Sequence, residues 1–502
     1  MKSSLQYLKL LVHERSSVAV LDDFFPNILT AFRVAEYNWY LEHFPQLKIY
    51  STNPDFKTVH TAYAQLYPQY ADRVMQYEAE VSLKDCAFVF MNFLNNAYHF
   101  LPALTLNCIP FIMTLYPGGG FGLMEPESDA KLDQVLSSPL LRGIIATQSV
   151  TLDYLKAKGC TVPIYDIFGG AINPIYFVDE TKNKRRLINP GALRICFVAE
   201  RYMPKGENKG YPQFIEAAQQ LIQNHPNLRF SVVGSFNAEV YPLDEKISAA
   251  IDFYGLLNTT DLKEFFLTQD IIISPNRPFL LHSGNFDGFP TGCCVEASLC
   301  GVAVVCSDEL KLNRYYTDGL NMVICDPTPD AIVKRVIKLI DNPDLLENIG
   351  TRGKAISRKI FDPRKQLCQR SALLCKAIKQ NEDQWAINLA ARYKTNKLFI
   401  ADQARHIDNL KVEMATRGDH IADLGRHIHN LEVEMATRGD HIADLGRHIH
   451  NLEVEMATRG DRIADQARHI HNLEITLMKY QNSLYGKCHS VMSRIYSFMR
   501  SK

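Results

Sequence analysis

Four charged residues stand at positions where an alternating strand and helix chain can use them: Arg201, Lys209, Asp287 and Glu296. The two carboxylates lie within DIIISPNRPFLLHSGNFDGFPTGCCVEASLCGVAVVCSD, residues 270–308. This stretch reads as strand, loop, helix, strand. Ile271–Ser274 is a short apolar run of the kind buried in a parallel sheet. A loop at the carboxyl end of a strand, leading into a helix start, is where open α/β sheets hold anions, because the helix presents free N–H groups and a partial positive charge. Gly288 and Gly292 would let a ligand approach the backbone, and Phe289, Pro290 and Thr291 complete the loop between them. Asp287 and Glu296 suit hydroxyl groups. Arg201 and Lys209, in ERYMPKGENKG directly after an earlier strand, suit a diphosphate. The chemistry indicated is recognition of a molecule that is phosphorylated at one end and polyhydroxylated at the other.

The elements that must position these residues form two α/β segments. Residues 1–175 read as the first, with strands over Ser17–Leu21, Cys86–Met91, Pro110–Leu115 and Gly143–Ala146 and helices over Tyr98–Asn107 and Ser128–Ser137, the latter with Glu127 or Ser128 as its cap. Residues 176–192 are polar, charged and aperiodic, a linker. Residues 193–380 read as the second. Its strands are Leu193–Ala199, Leu228–Val233, Phe253–Gly255, Ile271–Ser274 and Val302–Cys306. Its helices are Tyr211–Asn224, Asp261–Gln269 capped by Thr260, Ala331–Ile340 and a closing helix over 360–380. Both segments fit doubly wound parallel sheets.

In the first segment, the strand ending at Leu115 runs into Tyr116-Pro117-Gly118-Gly119-Gly120. Three consecutive glycines there can turn backbone N–H groups toward an anion or admit a sugar. Tyr116, Gly118, Gly119 and Gly120 are therefore expected on the sugar or acceptor side.

Arg201, Lys209-Gly210 and DGFPTGCCVEASLCGVAVV together resemble the retaining glycosyltransferases of the GT-B fold, the family-4 or group 1 type, over roughly residues 15–380. The resemblance implies two Rossmann-like doubly wound domains facing a cleft. It also implies transfer of a sugar from a nucleotide-sugar donor, with retention, to a growing glycan or lipid-linked acceptor in cell-surface polysaccharide biosynthesis. Arg201 and Lys209 would bind the donor diphosphate. The Asp287–Thr291 loop would approach sugar and phosphates, with Asp287 on the sugar hydroxyls and Glu296 on the ribose. The family separates its two acidic residues by seven positions, whereas eight lie between Asp287 and Glu296. Its glycine-rich loop after the first strand is replaced by Asp22-Asp23-Phe24-Phe25-Pro26-Asn27. Neither a metal nor a cofactor is expected, the nucleotide sugar being a co-substrate. The alternative is a non-catalytic GT-B scaffold that recruits partner enzymes.

Composition agrees with an ordinary cytoplasmic chain. Of 502 residues, 46% are hydrophobic, and Lys+Arg and Asp+Glu number 55 each, so no basic excess points to nucleic acid. The 12 cysteines show no repeated zinc spacing. Leu8–Val12 is too short for a membrane span. From residue 395 to 480 the pattern becomes a long α-helical coiled coil: Ile421, Ile442 and Ile463 recur every three heptads, which implies a homo-oligomer or a helical partner. His427 and His429 recur with the repeat, and their separation of two turns them apart on a helix, so a polar face outweighs metal binding. Residues 481–502 form a basic amphipathic tail that either lies on the inner face of a membrane or ends the coil.

Overall fold

The computed structural model describes residues 17–79, 81–83, 86–178 and 192–376, with 411–412, 415–416, 423–426 and 454 beyond them. Two parallel sheets carry the fold. The first contains β1 (Ser17–Asp22), β2 (Leu47–Ser51), β3 (Val74–Gln76), β4 (Cys86–Asn92), β5 (Phe111–Leu115), β6 (Leu141–Ala146) and β7 (Ile164–Asp166), in the order β3-β2-β1-β4-β5-β6-β7. The second contains β8 (Arg194–Val198), β9 (Arg229–Val233), β10 (Ile251–Phe253), β11 (Ile271–Ser274), β12 (Ala303–Cys306) and β13 (Val323–Ile324), in the order β10-β9-β8-β11-β12-β13. Helices cover both faces, so strands such as β5 (FIMTL) and β11 (IIIS) are buried at every position.

Strand order reverses between β1 and β4 in the first sheet and between β8 and β11 in the second. The carboxyl ends of strands at such a reversal diverge and leave a crevice for ligands. The segments that follow β8 and β11 carry Lys209, Asp287 and Glu296. Those that follow β1 and β4 begin with Asp22-Asp23-Phe24 and Phe93.

Four strands absent from the sequence reading, β2, β3 and β7 of the first sheet and β13 of the second, are short or lie toward the flanks of their sheets. Helix starts also differ. The helix Pro126–Leu136 is capped at Glu125 with Pro126 first, while Ser128 lies inside it and bonds Gly122. Thr259–Leu267 is capped by Asn258, whose side chain accepts from Thr260 and Asp261. The 18-residue helix Pro343–Ile360, capped by Asn342, went unread.

The closing helix over 363–376 leaves the second sheet and packs on the first. Leu367 joins Ala35 and Ala171, Leu374 joins the core around Val20 and Phe90, and Ser371 accepts a hydrogen bond from Trp39 at 3.0 Å. Arg370 is fully buried 3.3 Å from Glu36, and donates to Gly169 O at 3.0 Å. Asn92 and Tyr40 also donate to Glu36, so the buried carboxylate has three partners. This segment belongs structurally to the first sheet as much as to the second.

Most of the linker, residues 179–191, lies outside the described residues, as do nearly all of the coil, its histidines and the tail. The described positions at 411–412, 415–416, 423–426 and 454 are helical and exposed. Among the described residues no helix is long and apolar enough to cross a membrane.

Candidate active site at the second sheet's crevice

Lys209 ends a single 3-10 turn, Glu207–Lys209, held between Gly206 and Gly210, both in the left-handed region at φ 66° and 72°. Gly210 must be glycine for a second reason: a Cβ there would lie 2.0 Å from the carbonyl oxygen of Pro275, just past β11. This close approach brings the Lys209 side chain to the loop after β11. Its Nζ donates to both oxygens of Asp287, at 2.6 and 2.8 Å, and lies 5.2 Å from the ring of Tyr202. Burial alone would lower the Lys209 pKa, but the Asp287 carboxylate outweighs it and the ammonium is held more firmly protonated than usual.

Arg201 does not join this pair. Its guanidinium donates to the carbonyls of Ser235 at 2.8 Å and Pro204 at 2.9 Å, and the residue is exposed. The two cations thus occupy the same loop, one locked to a carboxylate and one to backbone.

The helix Gly292–Leu299 starts at Thr291 without a side-chain cap. The Thr291 hydroxyl sits instead 3.2 Å from Cys293 Sγ. The first amides of a helix have no acceptor within it, and the Thr291 start of this one lines a recess of about 30 Å³ together with Ser274, Asp287, Gly288, Ser307 and Asp308. One turn on, Glu296 is 6% exposed. Burial, with a smaller contribution from Cys293, pushes its carboxyl up to about 8. No described cation or donor is paired with it. The neighbouring thiols are protonated: against a lowering contact from Cys293, the bond to Cys306 and burial push Cys294 up to about 12.

The glycine run after β5 forms a tight, closely packed turn. Gly118 and Phe121 exchange backbone hydrogen bonds at 3.2 and 3.0 Å, and Gly122 donates to Ser128. Gly119 O accepts from Asn95 at 2.9 Å. The amides of Gly118, Phe121 and Gly122 are therefore engaged within the loop. Cβ atoms at Gly119 and Gly120 would lie 2.3 Å from the Phe93 ring and 2.0 Å from Asn95 Oδ1. Beyond the turn, Leu123 donates to Gly284 O at 2.8 Å, and Phe121 meets Phe286 edge-on. The loop thereby ties the first sheet's domain to the Asp287 loop of the second. Tyr116 is buried behind it, with the guanidinium of Arg370 5.8 Å from its ring centre.

One residue of this junction went unnoticed in the sequence. Gln148, two positions after β6, is 2% exposed and its Oε1 has no hydrogen-bond partner. Its amide nitrogen would be 2.8 Å from a Cβ on Gly288. A polar pair, Thr147-Gln148, following the buried strand LRGIIA is the signal that could have found it. Among the described residues, no group of three or more His, Cys, Asp or Glu is arranged to hold a metal ion.

Residues 179–356, which contain Arg201, Lys209, Asp287 and Glu296, match the family model of glycosyl transferases group 1. The match takes in the second domain's sheet from β8 to β13. Among curated proteins, the chain is similar to an uncharacterized glycosyltransferase of Methanocaldococcus jannaschii, at 23% identity over 194 residues, 38% of this chain and 46% of the relative. The similarity thus spans about half that relative's length. Among solved structures it resembles Anabaena HepE in complex with UDP and glucose, with TM-score 0.54 and 15% identity over 72% of this chain and 99% of the other. Sucrose-phosphate synthase from Thermosynechococcus elongatus matches with TM-score 0.52 and 11% identity over 73% and 100%. These likenesses establish the fold: the two domains, one on each sheet, form a GT-B pair.

Proposed function

We propose that this chain is a retaining, metal-independent glycosyltransferase that takes its sugar from a nucleotide-sugar donor and builds a cell-surface glycan. The observation that carries the proposal is the convergence of Lys209, Asp287, buried Glu296 and an uncapped helix start at the β8/β11 reversal, within the segment matched to group 1 glycosyl transferases. The UDP complexes of HepE support a nucleotide diphosphate as the donor's leaving group.

In the reaction, the bond between the anomeric carbon and the diphosphate oxygen breaks and a bond to an acceptor hydroxyl oxygen forms. The acceptor's proton leaves with the diphosphate, whose charge is the main electrostatic demand. Lys209 and the amides around Thr291 to Cys293 answer it with fixed positive charge, which needs little reorganisation. On this reading Lys209 exchanges one anion for another: the diphosphate competes with Asp287 for its ammonium, and the released carboxylate turns to the sugar hydroxyls. Arg201 swings from its carbonyl partners to the same phosphates. Glu296 takes the ribose hydroxyls, which supply the hydrogen bonds its buried carboxyl lacks. Gly288, Phe289, Pro290 and Gly292 line the donor, and Tyr116 with Gly118–Gly120 supports the opposite wall.

A donor panel with chelator present tests the proposal. One nucleotide sugar should be turned over, and proton NMR should give a product with the donor's anomeric configuration. Turnover abolished by chelator, or an inverted product, would contradict it.

A further inference from the structure

We propose that Phe24, Phe32 and Phe93 form a stacking platform for a neutral pyranose, the acceptor end of the transfer. This rests on the donor-site reading above and names the acceptor's chemistry. The platform stands where strand order reverses in the first sheet, at the carboxyl ends of adjacent strands β1 and β4. That is the position where open sheets bind ligands. It borders the cleft, because the Phe93 ring sits against Gly119, whose loop bonds Gly284 of the second domain.

The rings are held in place. Phe24 is 41% exposed, yet its N–H donates to Asp22 at 2.8 Å and its carbonyl accepts from Asn53 at 2.9 Å. Asp22 is fully buried, further bound by Tyr37 at 2.7 Å and Arg33 at 3.0 Å. This network replaces glycine in fixing the loop after β1. Phe93 has φ 73° and ψ 150°, a conformation close to glycine-only territory. Such a conformation is costly for a non-glycine residue and persists where the surroundings impose it. Phe32 packs edge-on to Phe93 at 5.9 Å. An aromatic ring left exposed on an anchored backbone, beside another held in strain, is a prepared surface.

The charges select the ligand. The Arg33 guanidinium lies 4.7, 5.3 and 5.5 Å from the rings of Phe93, Phe32 and Phe24. It is spent on Asp22 and Asp23. Lys131 is spent on Glu127 and Asn95. Arg33 faces two carboxylates and Lys131 one, so the balance of charge around the rings is negative and repels a phosphate or uronate. The Asp23 side chain is 53% exposed beside the rings, and Asn95 is exposed one loop away. Apolar ring faces flanked by a carboxylate and an amide match a pyranose, which offers one face of C–H groups and a rim of hydroxyl donors. An alkyl chain would gain nothing from the carboxylate.

Saturation-transfer NMR on the full chain tests this, with UDP present and methyl α- and β-hexopyranosides, hexose 6-phosphates and octyl glucoside as probes. Ring-proton signals from the neutral glycosides should appear with wild type, fall about fivefold to tenfold with Phe24→Ala, and be retained with Phe24→Trp. Equal signals in wild type and Phe24→Ala, none in wild type, saturation confined to the octyl chain, or a preference for the phosphates would each overturn the platform. A separate titration of UDP alone reports on the donor site, so its failure would count against that reading and leave the glycoside result interpretable.

Discussion

Replacing Glu296 with glutamine should stabilise the protein in a pH-dependent way. The carboxyl is buried without a paired cation and stays protonated until about pH 8, against an ordinary value of 4.5. Between those values the unfolded chain has released a proton that the folded chain keeps. Raising the pH therefore favours unfolding: this residue's contribution is intact below pH 4.5, declines up to pH 8 and is flat above. At about 1.36 kcal/mol per pH unit, the full decline is at most roughly 5 kcal/mol. Glutamine fits the same space and cannot ionise. Glu296→Gln should match wild type near pH 4.5 and exceed it by about 2–5 kcal/mol at pH 9. Urea denaturation at pH 5, 7 and 9 measures this directly. A difference that does not change with pH, or a variant less stable than wild type at pH 9, would show that the carboxyl is not held neutral by burial. The same variant should bind nucleotide more weakly, since activity and stability pull apart where a buried group is kept for a ligand.

Arg370→Ala should cost about 3–5 kcal/mol in chemical denaturation, because Glu36 would remain buried with its charge partner gone. Gly284→Ala should loosen the contact between the two domains, since its Cβ would sit 2.5 and 2.7 Å from the Leu123 backbone; hydrogen exchange at the Leu123 amide should quicken, and an unchanged rate would refute that role. Gly210→Ala should displace Lys209 from Asp287, at φ 72° and 2.0 Å from Pro275 O, lowering donor turnover about 10²-fold; turnover at the wild-type rate would show that Lys209 placement is not needed.

Much of the candidate site was legible because its residues are local. Asp287, the loop and Glu296 fall within ten positions, and the strands on either side are short apolar runs with few other readings. Ile271–Ser274 and Tyr211–Asn224 have the bounds that their patterns indicate. The pairing of Lys209 with Asp287, 78 positions apart, depends on how closely Gly210 approaches Pro275, and no local pattern encodes that. The packing of the glycine run is non-local for a related reason: Gly119 and Gly120 are pressed against Phe93 and Asn95, from a different strand-to-helix junction. The first sheet's flanking strands are hard to read because β3 and β7 have only three residues each and β2 carries an exposed lysine at its second position. Arg370 reads as one more surface charge in QLCQRSALL until the chain returns it to Glu36, 334 positions earlier.

The central claim is that Lys209 holds a nucleotide diphosphate at the uncapped helix start after β11. Isothermal titration of UDP into wild type and Lys209→Met tests it most directly. Binding to wild type should be saturable and weaken with added salt, with affinity at least about tenfold lower in the variant. Equal affinity in the two proteins, or no binding to wild type across the common nucleoside diphosphates, would contradict it.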